Sequence, residues 1–200
     1  MAKSLFDSIY REWKSTGYRT RSLKSLSWYK TKMKELGNVN RKQLLNDSEL
    51  SKTKRVLIGR MYMFVYDPKH KKTLPYYDRF PLIIMVGPDE KGSGFYGLNL
   101  HYLDPLLRAA FLDDLIKAFG TEKKNPSIKA RFNISYNKLK ALSSVKEFKP
   151  CFKHYLSSHV KTMFSEVQGP DWETAIFLPT QHFAKAGKGK VWAESRKAAK

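Results

Sequence analysis

Positive charge in this chain is segregated, and that segregation decides where a core can form. The formal net charge is +20, yet residues 61–120 hold 7 Lys and Arg against 7 Asp and Glu. Residues 1–60 hold 15 against 5, residues 121–165 hold 10 against 2, and residues 183–200 hold 6 against 1. Between the last two blocks, residues 166–182 carry 3 acidic and no basic side chains. Like charges repel one another in a compact fold, so the neutral, aromatic-rich centre is expected to be the packed body and the flanks its surface. A partner dense in phosphate relieves the repulsion, which makes nucleic acid the leading partner.

A chain of 200 residues buries about 70% of its unfolded surface, enough for one core or for a core with a small helical appendage. The single Cys151 leaves no intrachain disulfide, which fits a reducing compartment. The longest aliphatic run, at 82–86, is far shorter than the roughly 20 residues needed to cross a bilayer. Residues 1–7 lack the apolar stretch of a secretory signal, so the protein is expected to stay where it is made. Neither a lipidation site nor a basic face opposite a broad apolar stripe is present, and no membrane partner is expected.

The first 50 residues read as helical. Leu5, Phe6, Ile9, Tyr10 and Trp13 share one stripe of a helix that Gly17 ends. A second helix starts at Ser22 as N-cap, with Leu23, Leu26, Tyr29 and Met33 inward and Lys24, Lys30, Lys32 and Lys34 outward, and stops near Gly37. A third, short one follows Asn40. From Arg60 the period becomes that of strands, at 61–66, 82–86 and 95–103, with Gly97 marking a bulge or a close backbone approach. Joined by tight loops, these three are expected to form an antiparallel meander with the aromatic rings on its one buried face. Asp104-Pro105 starts a helix carrying Leu106, Leu107, Ala110, Phe111, Leu115 and Phe119 to Gly120. An edge strand at 128–134, a helix from Ser135 to 144, a helix opened by Pro150 to about 164 and a short strand at 173–178 complete the reading. Residues 184–200 read as a tail or a marginal helix. The expected class is α+β: a small antiparallel sheet of short aromatic-rich strands with packed helices, preceded by a helical basic N-terminal region. The expected divisions are 1–54, a core at 55–183 and a basic tail at 184–200.

Catalytic constellations are thin. Asp89, Glu90 and Lys91 resemble the acidic-plus-lysine core of a metal-dependent nuclease, but three adjacent residues in a Gly-flanked turn do not converge on one cation. Asp113 and Asp114 read as a solvated helix face. Cys151, His154 and His159 do not make a zinc site, because His159 falls on another face of the expected helix, and Cys151 reads as a small apolar filler. His101 reads as a hydrogen-bonded strand histidine. No catalytic residue, metal or cofactor is therefore expected.

Binding remains. Any single lysine reads as solvent-facing, but ten surplus charges in 60 residues exceed what solubility requires. The expected phosphate contacts are Arg19, Arg21, Lys24, Lys30, Lys32 and Lys34 in the N-terminal region, Lys123, Lys124, Lys129 and Arg131 after the centre, and Lys188 and Lys190 near the end. Most aromatics build the core. Tyr18, Trp28, Tyr29 and Trp192 lie among basic residues, and of these Trp28 and Trp192 are the expected stacking platforms for a terminal base.

Three strings in the centre carry a family likeness: Arg60-Met61-Tyr62-Met63-Phe64-Val65-Tyr66-Asp67-Pro68-Lys69, Leu74-Pro75-Tyr76-Tyr77-Asp78-Arg79-Phe80-Pro81-Leu82, and Gly94-Phe95-Tyr96-Gly97-Leu98-Asn99-Leu100-His101-Tyr102-Leu103. With Phe177-Leu178-Pro179-Thr180-Gln181-His182-Phe183 and Val191-Trp192-Ala193-Glu194-Ser195-Arg196, they resemble the DNA end protector, or head completion, proteins of T4-like phages over about residues 55–196. Asp104-Pro105 stands where the family pattern has a Pro-Pro helix start, and residues 1–54 depart from it. The resemblance implies a virion protein of the head or neck that binds the ends of the packaged double-stranded genome. It also implies protection of those ends from host exonuclease in the host cytoplasm, with portal, neck or tail proteins as possible neighbours and no catalytic residues. Two rivals are a structural neck or tail protein that contacts portal or baseplate subunits through acidic surfaces, and a packaging nuclease.

Overall fold

The computed structural model describes residues 4–47, 50–119 and 148–198. The edge strand expected at 128–134, the helix expected at 135–144 and the stop at Gly120 lie outside the described residues.

Local signals set the first helices. Helix α1 (Leu5–Ser15) gives way at Gly17, whose φ of +67° is left-handed, and α2 (Leu23–Leu36) begins where the Ser22 side chain accepts from the N–H of Ser25. Helix α3 (Arg41–Leu45) is capped by Asn40, which accepts from the N–H groups of Lys42 and Gln43. The inward stripe is narrower than the spacing suggests: Phe6, Ile9, Tyr29 and Met33 are buried, Leu5, Tyr10 and Trp13 are half-buried, and Leu23 is 86% exposed. Leu23 is the first residue of its helix.

Among the described residues, six strands form one antiparallel sheet: β1 (Ser51–Thr53), β2 (Met61–Met63), β4 (Leu82–Pro88), β5 (Gly94–Asn99), β6 (Phe152–Leu156) and β7 (Phe164–Val167), in the spatial order β1-β7-β2-β4-β5-β6. The expected meander is its centre, β2-β4-β5. A two-stranded ribbon, β3 (Tyr77–Asp78) with β8 (Phe183–Ala184), lies apart from it. Gly97 marks the close approach: a Cβ there meets Ile83 Cδ1 at 2.8 Å, and the register shift lies opposite, in β4 between Met85 and Gly87.

Two expectations change sign. Residues 150–164 are not a helix but a 3-10 turn, β6, a second turn at 157–159 and the start of β7. Pro150 opens only the first turn, and the free edges of β5 and β2 recruit residues 152–156 and 164–167 into pairing. Residues 173–178 are not a strand, because α5 (Trp172–Phe177) occupies them. Gly169-Pro170-Asp171 winds a 3-10 turn ahead of it, and Trp172, Ala175 and Ile176 then fall on one buried face.

The sheet is buried on both faces rather than one, and the two faces differ in chemistry. Met61, Met63, Leu82, Ile84, Val86 and Leu98 face the helices, including α4 (Pro105–Phe119), α5 and α6 (Lys188–Ala198). Tyr62, Phe64, Phe95, Tyr155 and Phe164 form an aromatic cluster on the other face, with Phe64 in contact with four of the surrounding rings at 4.9–6.3 Å. Aromatic pairs of this kind prefer tilted or edge-to-face geometry, and most of these adopt it.

Helix α4 starts as its sequence requires, with Asp104 Oδ1 accepting from the N–H groups of Leu106 and Leu107 at 3.1 Å. Its buried stripe is Arg108, Phe111, Leu112 and Leu115, whereas Ala110 is exposed and Leu106 is 52% exposed. Arg108 is fully buried and donates to the carbonyls of Leu103 (2.8 Å) and Ile176 (3.0 Å). Burial brings its pKa down to about 10, so the guanidinium stays charged. Of the two readings of the C-terminal segment, tail or marginal helix, the structure has a helix, α6, whose Val191 is fully buried in the main core.

Beneath α6 lies a buried polar knot. His101 sits in a 3-10 turn (Leu100–Tyr102) rather than in a strand, with Nδ1 2.7 Å from Asp78 Oδ2 and Nε2 3.1 Å from Thr180 Oγ1. Burial pushes the ring below its ordinary value of 6.5, against the opposing pull of Asp78, so it is neutral at pH 7. Its Nδ1–H then donates to Asp78 and its Nε2 accepts from the Thr180 hydroxyl. Burial by itself raises the Asp78 carboxyl, but His101 and the N–H donors of Phe80 and Asn99 hold it below the usual range.

This knot makes the fold acid-sensitive. Below pH 6.5 the unfolded state takes up a proton that the folded His101 refuses, so stability falls as pH drops, with a slope of up to about 1.4 kcal/mol per pH unit from this group. The urea midpoint is expected to decline between pH 7.5 and 5, and His101→Gln, less stable at pH 7.5, is expected to show a shallower decline. Parallel declines for the two proteins contradict the assignment.

Candidate nucleic-acid interface

Sequence-distant cations meet at one cleft. A cavity of ≈ 410 Å³ is lined by Lys30, Met33 and Lys34 of α2, Asp104 to Leu106 at the start of α4, Phe177, Pro179 and Gln181, and Lys188 and Trp192 of α6. Lys30 and Lys34 are one helical turn apart, hence neighbours on the face of α2. The wall at 176–182 is pinned from two sides. Arg108 donates to Ile176 O, and Arg41 donates to the carbonyls of Thr180 (2.7 Å) and Gln181 (2.8 Å).

Charge in the cleft is one-sided. Lys30, Lys34 and Lys188 are exposed and form no ion pair among the described residues. The one carboxylate in the lining, Asp104, is already spent: it caps α4 and accepts from Arg196 Nη1 at 3.1 Å. Trp192 is half-buried and fixed by its Nε1–H, which donates to His101 O at 2.9 Å, while Lys188 Nζ lies 5.8 Å from the ring centroid. The arrangement offers phosphate-binding cations around a positioned aromatic ring.

The other sequence candidates are placed differently. Lys32 is ion-paired with Glu12 and only 20% exposed. Arg21 pairs with Asp113 at 3.1 Å, its φ is +59°, and its N–H donates to Glu173. Lys190 stands 4.0 Å from Glu194 on its own helix. Arg19 and Lys24 are exposed and unpaired among the described residues, but do not line the cleft. Trp28 is half-buried edge-on to Tyr29 at 5.0 Å, and Tyr29 is a core residue, 2% exposed and stacked on Phe177. Lys123, Lys124, Lys129 and Arg131 lie outside the described residues. The sequence reading missed Gln181, Pro179 and Asp104 as lining. Only the pairing of the ribbon and the two arginine clamps bring the 176–182 segment there, and nothing local announces either.

Of the carboxylates weighed for catalysis, Asp89 and Asp113 are engaged, Asp113 by Arg21, while Glu90 is exposed beside Asp89. Asp89 Oδ2 accepts from Ser93 Oγ (3.1 Å) and lies 3.0 Å from His154 Nε2, contacts that hold the acid below the usual range. Cys151 is buried in the core, its thiol pushed up to about 12 by burial. Among the described residues no group of His, Cys, Asp and Glu is placed to hold a metal, and no helix is long and apolar enough to cross a membrane.

A family model described as the phage T4 terminal DNA protecting protein matches residues 2–197. The chain belongs to that family. The match to the terminal DNA protecting proteins begins well before residue 55, where the sequence likeness started, so α1 to α3 and the lysines of α2 fall within the family's extent. No curated relative and no solved structure matches the chain.

Proposed function

We propose that this protein binds the ends of linear double-stranded DNA, completes the filled phage head and shields the genome ends from host exonuclease. The observation that carries the reading is the convergence of Lys30, Lys34, Lys188 and Trp192 on one cleft, in a chain of the terminal DNA protecting family. The three lysines neutralise phosphates near the terminus, and Trp192 stacks on the exposed base pair. Arg19, Lys24, Lys123, Lys124, Lys129 and Arg131 extend the phosphate contacts along the duplex. Protection follows from occupancy of the end and requires no catalysis. In the virion, the protein has the DNA end on one side and portal, neck or tail subunits as neighbours.

The test is digestion of linear duplex by a processive exonuclease. Bound protein is expected to slow the start of digestion, and the double variant Lys30→Glu, Lys34→Glu to lose that protection. Its salt slope of binding is expected to drop by about 2, roughly one per phosphate contact removed. Lys32→Glu, which reverses a lysine already held by Glu12, is the comparison and is expected to protect nearly as well as the parent. Unhindered digestion under saturating protein contradicts the reading.

A further inference from the structure

A second cavity lies away from the basic cleft. It measures ≈ 590 Å³ and lies between the 66–78 loop, β6 and the 3-10 turn at 100–102, with walls of Tyr66, Tyr76, Tyr77, Tyr102 and Tyr155. One cation reaches into this aromatic recess. Lys153 of β6 is half-buried, its Nζ 3.9 Å from the centroid of the Tyr102 ring, and among the described residues it makes no ion pair and its ammonium no hydrogen bond.

The lining carboxylate does not neutralise it. Asp78 accepts from His101, Asn99, Phe80 N–H and His182 N–H, and so is committed to the polar knot. A cation partly withdrawn from water without a counter-charge is disfavoured, and burial lowers the pKa of this lysine accordingly. An anionic ligand removes that cost. Lys69 stands exposed at the rim beside His70, adding positive charge where a phosphate enters. Tyrosine walls suit a nucleobase, since base–aromatic stacking tolerates any base. The volume falls in the range of small-ligand sites and suits one nucleotide.

We propose that this cavity takes the terminal nucleotide of a DNA strand, with its terminal phosphomonoester on Lys153 Nζ and its base among the tyrosines. The inference rests on the end-binding reading and adds to it the group that is recognised. A phosphomonoester carries close to two charges, exists only at a strand end, and projects free of the chain, whereas an internal phosphodiester carries one charge and is tethered on both sides. Helix α6 serves both cavities: Trp192 lines the cleft, and burial together with the Glu194 carboxylate pushes the Tyr76 hydroxyl of the recess wall up to about 12.

The experiment compares three blunt duplexes of one sequence with the full chain: 5′-phosphorylated, 3′-phosphorylated, and hydroxyl at all termini. The parent protein is expected to bind one phosphorylated duplex roughly ten-fold or more tighter than the hydroxyl duplex, the scale of one charge-assisted contact. Lys153→Gln is expected to lose that preference, binding phosphorylated and hydroxyl duplexes alike, and Tyr77→Ala to reduce it. Equal binding of all three duplexes by the parent overturns the proposal without any variant, and so does a preference that Lys153→Gln retains. If the hydroxyl duplex still outcompetes closed circular DNA in that case, the end-binding reading stands and only the cavity assignment falls. If linear and circular DNA compete equally, the end-binding reading itself fails.

Discussion

Affinity for duplex DNA is expected to fall by roughly a thousand-fold or more between about 50 and 200 mM salt, if about 6 to 10 of the basic side chains displace counterions from phosphates. The surface supplies the means. Arg19, Lys24, Lys30, Lys34 and Lys188 are exposed and unpaired among the described residues, while Lys32, Arg21 and Lys190 are held by Glu12, Asp113 and Glu194. The net charge of +20 leaves few carboxylates to hold the remainder. Fluorescence anisotropy on a short duplex across that range measures the slope directly. A flat response means that phosphate neutralisation does not drive binding.

The second large effect is on stability. Phe80 is 2% exposed, packs in the helix-side core and donates its N–H to Asp78 Oδ1, at the point where the ribbon strand β3 passes into β4. Phe80→Ala is expected to cost about 3 to 5 kcal/mol, from lost burial plus the cavity left behind. Tyr96, which the strand pattern makes equally central, is only half-buried: it stacks on Phe152 at 5.2 Å near an open edge. Tyr96→Ala is expected to cost about 1 kcal/mol, the scale of one aromatic pair. Urea unfolding of the two variants separates them, and equal losses contradict the placement of the two rings.

Elements closed by local chemistry were legible in the sequence. Ser22, Asn40 and Asp104 cap the helices they precede, and Gly17 and Gly37 end theirs in left-handed backbone. The central meander was legible because its strands are bounded by Pro and Gly and joined in order. Structure decided by pairing was not. Phe152 to Leu156 follows closely on Pro150 and holds helix-compatible residues, and becomes a strand only because β5 has a free edge. For the same reason Lys153 read as a residue on a helix, although its alternation with Tyr155 is the signal of a strand face. The aromatic strings were read as one buried face because their residues are contiguous, while the pleat sends Tyr62 and Phe64 away from Met61 and Met63. Of the sequence-selected cations, Lys30, Lys34 and Lys188 share a cleft only through the packing of α2 and α6 around the end of α5. Charge counting marks such residues as surface, but does not say which of them meet.

Phosphate neutralisation alone treats a linear and a closed circular duplex alike, because both present the same charge density. End recognition requires a further contribution available only at a terminus, and in the proposed reading stacking on Trp192 is expected to supply one of about 1 to 3 kcal/mol. The decisive measurement is competition for the labelled linear duplex by equal masses of unlabelled linear and closed circular DNA at moderate salt. A preference for the linear competitor of roughly five- to a hundred-fold, reduced by Trp192→Ala, is the predicted result. Equal competition by circle and linear contradicts the account and leaves a basic protein that binds DNA without regard to its ends.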